Sequence, residues 1–302
     1  LKTYRLIAGA TLLACLPAVA SAATLIHAGR LIDAVSNTAQ RDVTIVVDGA
    51  DIKSVERGFR AGGPGDTVID LRDSTVMPGL CDMHVHITSE QSPRRQLEDF
   101  TLNEADVALL GAQFAKRTLD AGFTCVRDLG STFAAAVALR NAINRGAVPG
   151  PRIWAAGRLI GTTGGHADPT NGWSSRIMGN PGPNEGVVNG PDDAAQAVRQ
   201  RYKEGADTIK ITASGGVLSI AKNGLNPQFT EEEIRAIVST AKDYGYKVAA
   251  HSHGAEAAKR AVRAGVASIE HGTFLDDEAM QLMKQNGTYL VATITAGRWV
   301  GD

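Results

Sequence analysis

Two histidine pairs with the spacing His-x-His stand at the ends of apolar runs. His84 and His86 follow one run, and His251 and His253 follow another. Side chains alternate across a β-strand, so both imidazoles of a pair point to the same side and can reach one ion. Imidazole is a common metal ligand, and burying it without a partner is costly. The first pair therefore predicts a metal site rather than two satisfied core histidines.

A lysine lies inside a third apolar run, where Lys210 stands between Ile209 and Ile211. An unpaired ammonium in a strand covered on both faces would cost several kcal/mol, so the lysine must be paired, neutralised or modified. Three interpretations compete: a structural ion pair, a Schiff-base lysine, and a lysine carbamate that bridges two metals. The nearby histidine pattern favours the carbamate.

Histidines also end two consecutive apolar runs near the carboxyl terminus. His251 follows Val248 to Ala250, and His271 follows a run that ends at Glu270. We expect both at the same edge of a parallel sheet, as two more ligands. His253 lies one step further into the loop, where contact with substrate or support of a ligand is favoured over ligation. By strand alternation, Glu270 is expected to point away from the metal and to pair outside the barrel.

Short apolar strands alternate with Ala-rich helical segments from Val76 onward, the pattern of parallel βαβ units. Seven such repeats are predicted, and active sites of this architecture lie at the carboxyl ends of the strands. The predicted strands lie near residues 80–86, 123–127, 152–156, 207–212, 247–251, 267–270 and 288–293. The predicted helices span about 103–121, 131–145, 191–205, 230–244, 254–264 and 276–286.

The expected fold class is α/β, with an incomplete TIM-like (β/α)8 barrel over residues 78–302. A closed barrel has eight strands and usually about 250 residues, whereas about 225 follow residue 77. We therefore expect a fragment of a longer protein; the alternative is an open barrel with an exposed edge. Residues 23–77 contain short strands separated by turns and predict a small antiparallel β domain, part of a composite β-sandwich.

The amino terminus has the pattern of a secretory signal peptide over residues 1–22. Lys2 and Arg5 precede an apolar stretch, and Ala20-Ser21-Ala22 forms a small-residue cleavage site. Export to a bacterial periplasm is expected. A less favoured interpretation makes Cys15 a lipoprotein anchor. No later apolar run is long enough to cross a bilayer.

Charge and cysteine content narrow the class of protein further. With 31 basic and 32 acidic residues the formal charge is −1, so the composition lacks the excess of positive charge that is typical of nucleic-acid-binding proteins. A small molecule is the expected partner, and a homo-oligomer is left open. Cys81 and Cys125 are too few for a disulfide scaffold. We interpret them as buried free thiols, with one bridge between neighbouring strands as the alternative.

A long Gly-, Pro- and Asn-rich connection over residues 157–190 is expected to cover the substrate. His166 in this connection is a candidate for binding the substrate carbonyl or carboxylate. Arg298 is a candidate partner for a substrate carboxylate, with a solvated surface role as the alternative. Arg127 and Asp128 are interpreted as a structural pair, and His27 as structural.

Several longer motifs resemble the binuclear amidohydrolase superfamily. The resemblance is strongest to the exported, imidazolonepropionase-like members that include metal-dependent Xaa-Pro dipeptidases, and it covers about residues 24–302. The motifs are Met77 to His86, Val126-Arg127-Asp128-Leu129-Gly130, Thr163-Gly164-Gly165-His166-Ala167-Asp168, Lys210 to Val217 and Ile269-Glu270-His271-Gly272.

The resemblance implies two zinc ions per subunit and assigns their ligands. His84 and His86 would bind the more buried ion, His251 and His271 the more exposed one, and Lys210, as N6-carboxylysine, would bridge them. It also implies a metal-binding, proton-shuttling aspartate at the end of an eighth strand. The aspartates at positions 276, 277 and 302 do not occupy the equivalent place.

The expected reaction is hydrolysis of the amide bond of dipeptides, Xaa-Pro or other Xaa-amino acid, or of N-acyl amino acids. A zinc-bridging hydroxide would attack the carbonyl. His166 and His253 are the candidate catalytic residues, and they are also expected to bind substrate together with Arg298. The alternatives are a mononuclear aminohydrolase or imidazolone hydrolase, and a catalytically inactive metal-binding fragment.

Overall fold

The computed structural model of the protein describes residues 22–217 and 223–301. The predicted signal peptide, apart from its last residue, and the alternative anchor at Cys15 lie outside the described residues. No helix in the described ranges has the length and apolarity to span a membrane. The chain divides into two compact units, one ending at Pro78 and the other beginning at Gly79.

The amino-terminal unit contains one four-stranded sheet in the order β3-β2-β1-β4. Its strands are β1 (Thr24–Leu31), β2 (Gln40–Asp48), β3 (Asp51–Arg57) and β4 (Thr67–Val76). The first three pair antiparallel, but β4 runs parallel to β1, so the prediction of an all-antiparallel unit is wrong. The reason is the connection over 58–66, which is too long for a hairpin and returns the chain to the far edge of β1. A second layer of a sandwich is not seen within the described residues.

The second unit is an alternation of parallel strands and helices, as predicted. Its main strands are β5 (Leu80–Val85), β6 (Phe123–Asp128), β7 (Arg152–Ala155), β10 (Ile209–Thr212), β11 (Val248–Gly254), β12 (Ser268–Phe274) and β13 (Tyr289–Val291), with two short strands, β8 (Gly161–Thr162) and β9 (Val187–Val188). Its helices are α1 (Arg95–Thr101), α2 (Glu104–Asp120), α3 (Ala135–Asn144), α4 (Ser175–Met178), α5 (Pro191–Glu204), α6 (Glu231–Asp243), α7 (Ala255–Ala264), α8 (Asp277–Asn286) and α9 (Ile294–Gly301).

The main strands form two parallel sheets, β5-β6-β7 and β10-β11-β12-β13. The sheets are joined where Asp207 N–H donates to the Ala155 carbonyl at 2.8 Å and where Ile160 bridges Ile211. Carboxyl ends of parallel strands lie at one edge, so the loops that follow them share one side of the unit. This arrangement is compatible with a TIM-like barrel.

Helix α6 shows how sequence directs this packing. Thr230 Oγ1 accepts from Glu233 N–H at 3.3 Å, and the Glu233 carboxylate accepts from Thr230 N–H at 2.8 Å. This capping box begins the helix where the sequence predicts it. Ile234, Ile237 and Ala241 recur at helical spacing and are buried in the core against β10 and β11. The helix therefore fixes the strands that carry Lys210 and His251.

Cys81 and Cys125 form a disulfide, so the interpretation as two free thiols is wrong. The two residues lie at the same register of the neighbouring strands β5 and β6, with their Cα atoms 4.7 Å apart. This separation is within the range that a disulfide spans. A spacing of 44 residues in the sequence does not show that register.

Candidate metal centre

Six histidine rings form a continuous cluster at the carboxyl ends of the parallel strands. The ring centroids of His251 and His271 are 4.6 Å apart, and those of His84 and His271 are 4.8 Å apart. The remaining neighbouring pairs of the cluster are His84 with His86 at 5.5 Å, His166 with His251 at 4.4 Å, His251 with His253 at 4.7 Å and His253 with His271 at 5.1 Å. The structure thus brings together all the histidines that the sequence selected.

A buried carboxylate orients the first histidine. His84 Nδ1 lies 2.9 Å from Glu270 Oε2, and Arg127 donates from Nη2 to Glu270 Oε1 at 2.7 Å. Ser268 Oγ donates to the same carboxylate at 2.5 Å, and Glu270 is fully buried. The expected outward direction of Glu270 and the expected pairing of Arg127 with Asp128 are therefore both wrong. Glu270 and Arg127 support the cluster from within, a role that the sequence analysis missed.

Strand alternation fails at this position because the backbone of β12 changes conformation. His271 has φ +71°, a left-handed conformation that non-glycine residues rarely adopt. Successive side chains then no longer point to opposite faces, and Glu270 and His271 both reach the histidine cluster. The adjacent Ile269-Glu270-His271-Gly272 motif is the only sequence signal that could have suggested this.

The second histidine of the first pair is held by the loop after β6. His86 Nδ1 lies 2.8 Å from the Gly130 carbonyl oxygen. Asp128 is buried and accepts from Ile87 N–H at 2.8 Å and from Gly130 N–H at 3.2 Å. Burial raises the pKa of Asp128 to about 7, although these two hydrogen bonds oppose the shift. Asp128 therefore ties together the two backbone segments that orient His86.

The histidines of β11 and β12 are also oriented through one ring nitrogen each. His251 Nε2 lies 2.8 Å from the Gly215 carbonyl oxygen, and His271 Nδ1 lies 2.8 Å from Thr293 Oγ1. His253 Nδ1 lies 2.9 Å from Thr273 Oγ1. Metal-binding histidines characteristically use one nitrogen for such a support and offer the lone pair of the other.

Lys210 is buried in β10, with only 2% of its surface exposed. Lys210 forms no ion pair with any other described residue. Among the described residues, the structure therefore does not support the interpretation of Lys210 as a structural ion pair. Burial lowers the pKa of Lys210 to about 8, and the charge of Arg127 adds to the effect, while Glu270 and Asp128 oppose it. A lowered pKa provides the neutral amine that carbamate formation requires.

Burial also favours the neutral form of five of the six clustered histidines. It lowers the pKa of His166 to about 4 and that of His271 to about 2, and the charge of Lys210 contributes to both shifts. The pKa values of His84, His251 and His253 are lowered by burial as well. Neutral imidazole is the form that binds metal ions.

His166 enters the cluster from the connection between β7 and α5. Its backbone N–H donates to Gln228 Oε1 at 2.8 Å, and its Nδ1 is buried without a hydrogen-bond partner. A Cβ at Gly216 would lie 2.4 Å from the ring, so only glycine fits there. The sequence did not identify Gln228 and Gly216 as supports of this ring.

Two other residues lie apart from the cluster. Arg298 is exposed on α9 and forms no hydrogen bond or ion pair with other described residues, so its role toward a substrate stays a prediction. His27 belongs to the amino-terminal unit, where its Nε2 lies 2.9 Å from the Arg60 carbonyl oxygen. This contact agrees with the structural role expected for His27.

The donor set fits metal ions. The cluster supplies several buried, neutral imidazoles, an unsatisfied nitrogen on His166 and a buried lysine without an ion pair in the described ranges. No group of three or more His, Cys, Asp or Glu side chains among the described residues is arranged to hold one ion by itself.

Known proteins resemble this chain in sequence and structure. A model of the amidohydrolase family matches residues 75–299. Ochratoxinase from Aspergillus niger is 32% identical over 289 residues, which cover 89% of this chain and 58% of the relative. The chain thus spans less than two thirds of the length of this curated relative.

The solved structures that share the fold include a dipeptidase and a prolidase. A Xaa-Pro dipeptidase with methionine bound in its active site is 55% identical, with a TM-score of 0.89 and coverage of 92% of this chain and 68% of that one. A prolidase in complex with N-methylphosphonate-L-proline is 33% identical, with a TM-score of 0.80 and coverage of 89% and 65%.

Proposed function

Since this chain belongs to the amidohydrolase family, as its motifs predicted, we propose that it hydrolyses the amide bond of dipeptides or N-acyl amino acids with two zinc ions. The enzyme class, a hydrolase acting on C–N bonds, follows from the family and from its dipeptidase and ochratoxinase relatives. We further propose that the seven parallel strands are part of a TIM-like (β/α)8 barrel and that the protein is exported to the periplasm.

The observation that carries the proposal is the orientation of the histidine cluster. His84 is held by a carboxylate, and His86 and His251 are held by backbone carbonyl oxygens, each through one ring nitrogen. In a neutral imidazole, the nitrogen that donates carries the proton, and the other nitrogen carries a lone pair. These supports therefore set the rings for metal binding before any ion arrives.

We assign His84 and His86 to one ion, His251 and His271 to the other, and Lys210 to a bridge as N6-carboxylysine. Each ion would then be held by two histidines together with the modified Lys210. When bound, the two ions supply a hydroxide near neutral pH and polarise the scissile carbonyl.

The other residues of the site would bind the substrate or orient the metal-binding histidines. The rings of His166 and His253 lie 4.4 and 4.7 Å from the ring of His251, where they can hydrogen-bond the carbonyl or carboxylate of a substrate. Glu270 and Arg127 keep His84 in place. Burial of Lys210 favours the binuclear enzyme over a mononuclear aminohydrolase, because a mononuclear site has no use for a lysine beside its histidines.

The test measures zinc content and turnover together. The purified protein is assayed against Xaa-Pro dipeptides, other dipeptides and N-acetyl amino acids, before and after chelation and after return of Zn²⁺. We expect two zinc ions per chain and hydrolysis that is lost and regained with the metal. Two zinc ions without turnover of any of these substrates would instead establish an inactive metal-binding protein. One ion together with deamination would establish the aminohydrolase.

A further inference from the structure

An aromatic contact joins two of the connections at the carboxyl side of the strands. Phe100 lies on α1, which follows β5, and Trp173 lies in the connection that follows β7. Their ring centroids are 4.6 Å apart and the rings are nearly perpendicular, at 86°. This edge-to-face geometry is a favourable aromatic arrangement. The contact therefore links the connection that carries His86 with the connection that carries His166.

Both rings remain open to solvent and have apolar neighbours. Phe100 is 45% exposed and Trp173 is 36% exposed. Leu97, three residues before Phe100, and Ile177, four residues after Trp173, are also exposed. We call these four residues the aromatic clasp. Single exposed apolar residues are common, but several together on the two connections that carry His86 and His166 indicate a ligand surface.

The clasp is tied to the histidine cluster through a compact turn. The Asp168 carboxylate accepts from Gly164 N–H at 2.8 Å and from Thr170 N–H at 2.9 Å. Asn171 Nδ2 donates to the Gly165 carbonyl at 2.6 Å, and Trp173 N–H donates to the Thr170 carbonyl at 3.1 Å. The turn that ends at Trp173 also contains His166, whose ring lies beside His251. The position of the indole is thus coupled to that of a candidate substrate-binding histidine.

We propose that Phe100 and Trp173 form an apolar wall of the substrate pocket and select substrates with a large apolar side chain next to the scissile amide. This inference rests on the proposed function, because it assigns specificity to the same site. The occupant is a leucine-like or phenylalanine-like side chain, since the clasp offers two partly exposed aromatic rings and two exposed aliphatic side chains. Burial of such a side chain typically raises kcat/KM by about 10- to 100-fold over glycine.

The experiment compares side-chain selectivity in Trp173→Ala, Phe100→Ala and the wild type. The ratio of kcat/KM for leucine over glycine is measured with Leu-Pro against Gly-Pro and with Gly-Leu against Gly-Gly. We expect one of the two ratios to fall about 10-fold in each variant, mainly through a higher KM for the leucine substrate, with a smaller effect on the glycine substrate. Trp173→Phe should keep the ratio. Phe59→Ala, which removes an exposed ring of the amino-terminal unit, is the matched control.

A uniform fall for all substrates would overturn the inference, because it would show a structural role only. Calorimetric binding of free L-leucine and glycine separates this inference from the proposed function. If neither dipeptides nor N-acetyl amino acids are hydrolysed but leucine still binds more tightly than glycine, and the difference is lost in Trp173→Ala, the proposed function fails and the apolar wall stands. If hydrolysis occurs and neither ratio changes in either variant, the wall is refuted and the proposed function stands.

Discussion

Glu270 accepts a hydrogen bond from His84 across the unit, with His84 Nδ1 and Glu270 Oε2 2.9 Å apart and 186 residues apart in the chain. Arg127 supports the same carboxylate from a third strand. Carboxylates in this position fix the tautomer of a metal-binding histidine and raise its basicity. The relationship makes Glu270 a positioning residue for the proposed metal centre.

Glu270→Gln should weaken zinc binding about 10- to 100-fold, because the neutral amide neither stabilises the protonated Nδ1 nor balances Arg127. Zinc affinity is measured by competition with a chelating dye. Glu278→Gln is the control, since Glu278 is an exposed residue of α8 that pairs with Lys259. Unchanged zinc affinity in Glu270→Gln would contradict the proposed support of His84.

Lys210→Ala should lower the zinc content from two ions to one or none per chain and reduce kcat/KM on the order of 100-fold. The physical reason is the loss of the bridging carbamate. Intact mass spectrometry at neutral pH should show the mass of one CO2 on the wild type, and propionate should restore part of the activity of the variant. Lys116→Ala, at an exposed ion pair with Asp120, is the control. Two zinc ions in Lys210→Ala would refute the bridge.

The metal-free protein should lose stability as the pH falls below about 6.5. Burial lowers the folded pKa of His166 to about 4 and that of His271 to about 2 from an ordinary value of 6.5. The unfolded chain therefore takes up these protons first, so the stabilisation is present above pH 6.5 and is lost toward pH 4. Asp128 acts oppositely because its pKa is raised to about 7, but one carboxyl is outweighed by five histidines.

This pH dependence is measured by urea unfolding of the chelated protein at pH 8 and pH 5, with a lower midpoint expected at pH 5. The zinc-loaded protein is the reference, and it should be more stable than the metal-free form at both values because metal binds the folded state. Equal midpoints for the chelated protein at the two pH values would show that the histidines do not govern its stability.

Replacing Cys81 and Cys125 by serine should lower the free energy of unfolding by about 4 kcal/mol, the chain-entropy value for a loop of this size. The disulfide closes a separation of 44 residues between β5 and β6. The measurement is urea unfolding with and without reductant. Reductant should destabilise the wild type by a similar amount and leave the double variant unchanged; a wild type insensitive to complete reduction would argue against a stabilising bridge.

The sequence by itself determined the alternation of strands and helices, the family and the identity of the clustered histidines. These features are local: apolar runs form the parallel strands, Thr230 and Glu233 begin α6, and His84, His86, His251 and His271 end their runs. Because carboxyl ends of parallel strands share one edge, spacing along the chain was enough to place these rings together.

The tertiary structure alone decided which residues support the clustered histidines and how strands distant in the sequence pair. The positive φ of His271 breaks strand alternation, so that His271 reaches the same histidine cluster that Glu270 contacts, and the register of β5 on β6 joins Cys81 to Cys125. The parallel placement of β4 against β1 is a third such feature. Local patterns cannot specify them, because a single backbone angle or the register between strands distant in sequence depends on the packing of the whole unit.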